Sequence, residues 1–158
     1  MDVIEGLGNE GFTDVIITPV ITQTQRKIVL PTKTPTWGGP QLWEAVNKRR
    51  QELGVNPLQN REELCTIAAI RLNDLLELGK LDGHEGFSNF QDRRKDLVWI
   101  LDKYGTVAEF LAYGGQTAQE TVSLWENTMG HKKLLSGGEY VWGCIYAQNT
   151  FAVAIAAY

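Results

Sequence analysis

No run of this chain is apolar over the roughly 20 residues that a membrane-spanning helix needs, so no transmembrane segment is expected in it. The start does not read as a secretion signal either: Met1-Asp2-Val3-Ile4-Glu5 is acidic and lacks a basic lead-in to an apolar stretch. On that ground the sequence is either cytosolic or an excised mature segment. Excess positive charge is also missing. The formal net charge of −4 gives no field that would draw nucleic acid or an anionic membrane, and nucleic acid is not an expected partner. The basic clusters Lys48-Arg49-Arg50 and Arg93-Arg94-Lys95 are short and read as solvated helix faces.

Cysteine is scarce. Cys65 and Cys144 lie far apart and match no zinc or redox spacing, which leaves either one disulfide or two buried thiols. Proline is nearly absent beyond the first 40 residues, which hold four of the five: Pro19, Pro31, Pro35 and Pro40. Threonines 18, 22, 24, 32, 34 and 36 share that stretch. Such composition reads as an extended arm or linker over residues 1–40. Val15-Ile16-Ile17 and Ile28-Val29-Leu30 would give it partial docking as short edge strands.

Histidine is nearly missing too, with two in 158 residues, each directly after a glycine: Gly83-His84 and Gly130-His131. Imidazole is the side chain that changes charge near neutral pH and the commonest metal ligand. The two are either separate, solvated turn residues or partners in one cleft. Spacing alone favours the former.

What is present is ordinary globular material, 43% hydrophobic and long enough for one buried core, placed at residues 41–158. A helix begins at Gln41, with Leu42, Val46 and Leu53 on one face and Trp43 beside them, and ends at Gly54 and Pro57. Asn60 followed by Glu63 reads as a capping box. The stripe Leu64, Ala68, Leu75 follows, flanked by Ile67 and Leu78, and stops at Gly79. Arg71 falls on that face and needs a partner if buried. A further helix is expected within 92–104 on Leu97, Val98, Leu101 and Tyr104. Thr117 and Glu120 form a second capping box ahead of Ala118, Val122, Trp125 and Met129, with Gly130 stopping the helix.

Strand signals come late. Residues 107–113 alternate weakly, and 140–147 and 151–158 form a hairpin around Gln148-Asn149-Thr150. The last run has no polar alternation, so it is expected to be buried on both faces. The fold class is therefore α+β in three layers.

Several segments in order resemble the CAP superfamily of cysteine-rich secretory proteins, antigen 5 and pathogenesis-related 1 proteins, in its bacterial form. Asn47-Lys48-Arg49-Arg50, Gly54-Val55-Asn56-Pro57-Leu58, Leu64, Ala68 and His84 resemble its opening. Ala108-Glu109-Phe110-Leu111-Ala112 is similar to its Gly-Glu-Asn-(Ile/Leu)-Ala segment, with Phe110 in place of the asparagine. Thr117 to Val122, Trp125 and Gly130-His131 resemble its Trp-to-Gly-His motif, and Val141-Trp142-Gly143-Cys144 its Val-Gly strand. The resemblance covers about residues 41–158.

It implies an α-β-α sandwich with a small antiparallel central sheet, and a cleft where His84, Glu109 and His131 converge. The second acid of many eukaryotic members would fall on Thr128, and Glu126 should point elsewhere, so a tetrad becomes a triad. Two imidazoles and a carboxylate are the donor types of an open zinc site, so Zn²⁺ or another divalent cation is the cofactor the resemblance implies, on His84, His131 and Glu109. The expected function is a secreted or envelope-associated binding module, extracellular or in the cell envelope. Its cleft would take a metal, small molecule, lipid or peptide, and a larger surface protein is its expected context. The rival is a metal-dependent hydrolase using the same three residues. A third reading is a purely structural domain. Ser88 and Ser136 lack the Gly-x-Ser-x-Gly context of a nucleophile.

Overall fold

The computed structural model describes residues Thr36–Tyr158. The arm assigned to 1–40, with its two candidate strands, lies outside the described residues except for its last few positions. Of those, Gly39 and Pro40 open helix α1 (Gly39–Glu52), in which the Gln41 side chain accepts from the Gly38 N–H at 2.8 Å. Proline fits there because first-turn N–H groups have no helical partner.

After α1 come β1 (Gln59–Asn60), α2 (Glu62–Leu78), the single turns α3 (Glu85–Ser88) and α4 (Phe90–Arg93), and α5 (Val98–Lys103). Then follow β2 (Val107–Tyr113), α6 (Ala118–Glu126), α7 (Lys133–Ser136), β3 (Trp142–Gln148) and β4 (Phe151–Ala157). The sheet order is β1-β3-β4-β2. β4 is central and antiparallel to both neighbours, whereas the two-residue β1 runs parallel to β3. The sheet is thus antiparallel but for this short edge.

All seven residues of β4 are buried. Ala152, Ala154 and Ala156 pack with Leu42, Val46, Val122 and Trp125 from α1 and α6. Phe151, Val153 and Ile155 pack with Leu64, Ile67, Ala68 and Leu75 from α2 on the other face. Helices on both faces explain the missing polar alternation and make three layers, an α-β-α sandwich. The small residues face α1 and α6, and the bulky ones face α2 together with Phe90 and Ile100.

Several local expectations shift. Leu53 and Leu78 are exposed, and Arg50 fills the fourth-residue position of the α1 stripe after Leu42 and Val46. The α2 cap is Arg61, not Asn60. Gln59 N–H and Arg61 N–H bond to the carbonyls of Val141 and Gly143, so this stretch is recruited to the sheet and the helix starts later. The helix within 92–104 is split by a 3₁₀ turn at Lys95–Leu97, and Ile100 is its buried anchor. α6 ends at Glu126, leaving Met129 90% exposed instead of in the stripe. Thr117 does cap α6, accepting from Glu120 N–H at 2.9 Å.

Cys65 and Cys144 form a disulfide joining α2 to β3. The hairpin turn is Asn149-Thr150, both at positive φ (53° and 65°), as a two-residue type I′ connection requires.

Candidate functional site

The site grows from Arg71, which α2 places wholly inside the protein. A buried guanidinium needs compensating charge and acceptors, and it has three carboxylates. Its Nε donates to Glu109 Oε2 at 2.5 Å, Nη2 to Asp82 Oδ1 at 2.8 Å, and Nη1 to Asp74 Oδ2 at 2.7 Å. Burial works against the Arg71 charge, but the bonds to Glu109, Asp82 and Asp74 hold its pKa above the ordinary value.

Asp82 then organises the loop. Its carboxylate accepts the N–H groups of His84 and Gly86, each at 3.0 Å, in the manner of an Asx turn. Burial raises the Asp82 pKa, yet the Arg71 guanidinium and these amides outweigh it, and the net shift is downward. The loop holds Gly83 at φ 62° and His84 at φ 70°, left-handed backbone that is uncommon for a residue with a Cβ. Gly86 is needed for space: a Cβ there would lie 2.0 Å from Arg71 Nη1.

Glu109 sits mid-strand in β2 with its side chain 1% exposed. Strand alternation turns Glu109 toward α2 and Phe110 to the opposite face. Glu109 Oε1 meets His84 Nδ1 at 2.9 Å. Because Arg71 already donates to this carboxylate, the ring nitrogen is the donor in that bond, which leaves Nε2 as the free nitrogen of His84.

His131 arrives from the other side, in the turn between α6 and α7. Its ring meets Phe110 edge-on with centroids 6.3 Å apart, and Phe110 in turn meets Tyr140 at 5.8 Å. The His84 and His131 rings stand 6.0 Å apart, tilted by 59°. The two histidines therefore meet at β2, an edge strand whose Leu111 carbonyl is covered by Trp125 Nε1 at 2.9 Å. Burial lowers the His131 pKa, and the neighbouring His84 lowers it further.

Thr128 carries no carboxylate into this site; its hydroxyl donates to Leu124 O at 2.9 Å. Glu126 points away and pairs with Arg49 on α1. Ser136 donates to Lys132 O.

Residues 43–153 match the CAP family, described as the Cysteine-rich secretory protein family. This chain belongs to the CAP family. A Bacillus subtilis relative, described as uncharacterized protein YkwD, is 32% identical over 92 residues, covering 57% of this chain and 34% of the relative. The chain thus spans about a third of that relative's length.

Among solved structures, an extracellular SCP-domain protein from Bacillus anthracis superposes with a TM-score of 0.62 at 15% identity, over 75% of this chain and 39% of that one. A cysteine-rich secretory protein from Staphylococcus aureus gives 0.58 at 20% identity, over 75% and 38%. An outer surface protein from Borrelia burgdorferi gives 0.57 at 20%, over 73% and 89%. At these identities the likeness supports the fold. Two of these structures are described as extracellular or outer-surface proteins, and no described helix here is long and apolar enough to cross a membrane.

His84, His131 and Glu109 come together in this structure, with Glu109 engaged by other partners. Among the described residues, no group of three or more His, Cys, Asp or Glu side chains is arranged to hold a metal ion. The physical reason lies in Glu109, whose two oxygens are taken by Arg71 and His84. Pulling that carboxylate onto a cation would strip Arg71 of its buried partner. Two imidazoles remain. Rings sharing a tetrahedral zinc, at Zn–N of about 2.0–2.1 Å, have centroids about 5 Å apart. The observed separation is 6.0 Å, about 1 Å wider.

Asp74 and Asp82 in this network, and the buried Arg50 on α1, are not among the expected residues. Asp82 had a signal, since Asp-Gly-His-Glu-Gly is turn chemistry. Arg50 had one too, four residues beyond Val46 on the buried stripe. A cavity of about 500 Å³ between the starts of α1 and α6 is lined by Trp37, Gln41, Lys48 and Gln119 among others, and by neither histidine.

Proposed function

We propose that this CAP domain works outside the cytoplasmic membrane as a binding module, and that His84 and His131 together are its contact point for a ligand. The observation that carries this reading is the 6.0 Å meeting of the chain's two histidines, which lie 47 positions apart and come from different walls of the cleft. Support comes from the chemistry of the pair. Glu109 orients His84 through Nδ1 and leaves Nε2 free, the arrangement by which a carboxylate sets up a histidine for a metal. His131 is biased toward its neutral form, which preserves a lone pair.

The ligand classes that fit are a divalent cation taken by the two imidazoles, with Glu109 orienting and not ligating, or a small molecule, lipid or peptide whose polar group is held there. The hydrolase reading gains no observation: the carboxylate that would serve as base is committed to Arg71. Isothermal titration of the chain with Zn²⁺ tests the proposal. One ion per chain is expected, with at least a tenfold loss of affinity in both His84→Ala and His131→Ala. Equal binding by wild type and both variants would remove the histidines from the contact point. No Zn²⁺ binding by the wild type would exclude the cation and leave the organic ligand classes.

A further inference from the structure

The His84 wall is held by Arg71, but His131 lies on a segment with little packing of its own. Between the end of α6 at Glu126 and the start of α7 at Lys133, Asn127 to Lys132 are exposed or half-buried, and Met129 is almost fully exposed. Something on the α7 side must hold the ring in place. The neighbouring buried residues are Leu134 and Leu135, and over them sits the second buried arginine of the domain.

Arg50 reaches from the last turn of α1 with no exposed surface. Unlike Arg71, it has no carboxylate in contact among the described residues. Its hydrogen bonds go to four main-chain carbonyls: Nε to Asn56 at 2.8 Å, Nη1 to Leu134 at 2.6 Å, and Nη2 to Tyr140 at 3.0 Å and Gly137 at 3.3 Å. Three of those carbonyls belong to the segment that follows His131. Leu134 links the two directly, because its carbonyl accepts from Arg50 while its N–H donates to the His131 carbonyl at 3.1 Å. Tyr140, whose carbonyl Arg50 also holds, packs its ring against Phe110, the residue that His131 meets edge-on. Arg50 therefore touches His131's surroundings along two routes, one through main chain and one through aromatic rings.

We infer that Arg50 is a positioning residue for His131, fixing the 134–140 segment so that the imidazole stands opposite His84. The fold would then use one buried arginine for each wall of the cleft, Arg71 for His84 and Arg50 for His131. A planar fork with five donors suits this task, since one rigid group satisfies several carbonyls at set angles. Lysine keeps the charge but not the fork.

The inference rests on the proposed contact point only for its functional meaning, and its test separates the two. Ring-proton NOEs between His131 and Phe110, and between His131 and His84, are recorded in wild type, Arg50→Lys, Arg50→Gln and Leu75→Ala. Leu75→Ala damages the core on the α2 side of the sheet and serves as the control for general destabilisation. The expected result is that either folded Arg50 variant loses or weakens both NOE sets and binds Zn²⁺ at least tenfold more weakly, while Leu75→Ala keeps both. Unchanged His131 NOEs in a folded Arg50 variant, or the same losses in Leu75→Ala, would overturn the positioning role. Absence of Zn²⁺ binding in the wild type would count against the cation reading alone, because the NOEs still decide the role of Arg50.

Discussion

Arg71 of α2 and Glu109 of β2 are joined by two hydrogen bonds, Nε to Oε2 at 2.5 Å and Nη2 to Oε1 at 3.3 Å, both inside the protein. His84 then completes the coordination of the same carboxylate at 2.9 Å. A core ion pair and a half-exposed histidine thereby share one carboxylate.

Breaking the pair should be severe. Arg71→Met removes the cation from beside Glu109, Asp82 and Asp74, and the loss of one partner of a buried pair costs about 3–5 kcal/mol. Urea unfolding of Arg71→Met should show that loss. A double replacement, Arg71→Met with Glu109→Gln, should recover part of it, because the most deeply buried of the three carboxylate charges left by the missing cation is then removed. A fully additive double variant would show that the two side chains do not act as a pair.

Gly86→Ala should disturb the same unit from the loop side. The added carbon would sit 2.0 Å from Arg71 Nη1, so either the loop or the guanidinium must move. Overpacking of this kind costs about 1–3 kcal/mol, and the His84 ring resonances should shift with it. Alanine at Gly130, whose Cβ would meet nothing within 4 Å, should be tolerated and is the comparison.

Stability should fall with pH in two stages. His131 has a folded pKa below its ordinary value of about 6.5, because of burial and of His84. The unfolded chain therefore binds this proton first. The contribution is complete above the unfolded pKa and is lost as pH falls through the folded one. Asp82 is likewise depressed in the folded state, where Arg71 and two amides outweigh the effect of burial. Its contribution is present above the unfolded carboxylate pKa and is lost as pH falls below it. Melting temperature measured from pH 8 to 2 should decline first below about 6.5 and again below about 4. His131→Asn should flatten the first decline and leave the second.

The disulfide closes a separation of 79 residues, which in the chain-entropy account is worth about 4–5 kcal/mol. The paired replacement Cys65→Ser and Cys144→Ser should lower the unfolding free energy by an amount of that order in denaturant titration. A change below 1 kcal/mol would mean that the α2–β3 contact holds by packing alone.

Thr150 carries a β-branched side chain at φ 65°, where glycine has no penalty. Thr150→Gly should stabilise the hairpin by about 1 kcal/mol, read as a higher melting temperature with an unchanged near-ultraviolet spectrum.

Much of this was legible in the residues. Leu64, Ala68, Arg71 and Leu75 fall on one helical face by spacing alone, and burial of that face forces Arg71 to find partners. The unalternated run 151–158 states that helices cover both sides of its strand. What spacing does not carry is distance in space: His84 and His131 become neighbours only when β2 presents Glu109 and Phe110 on opposite faces. Arg50 stands among charged neighbours in sequence, which suggests a solvated face, although its phase places it beside Val46 and it is fully buried. Asn60 looked like a cap because local chemistry was read without the sheet, which claims that backbone through Val141 and Gly143. The disulfide stayed open for the same reason, since two cysteines with no motif pair only through the tertiary packing of α2 on β3.

The central claim is that His84 and His131 form one contact point, and NMR titration of both imidazoles in wild type and His84→Ala tests it most directly. With the neighbour removed, the His131 midpoint should rise while remaining below the ordinary histidine value, because burial persists and the repulsion is gone. A His131 midpoint that does not move on loss of His84 would contradict the account.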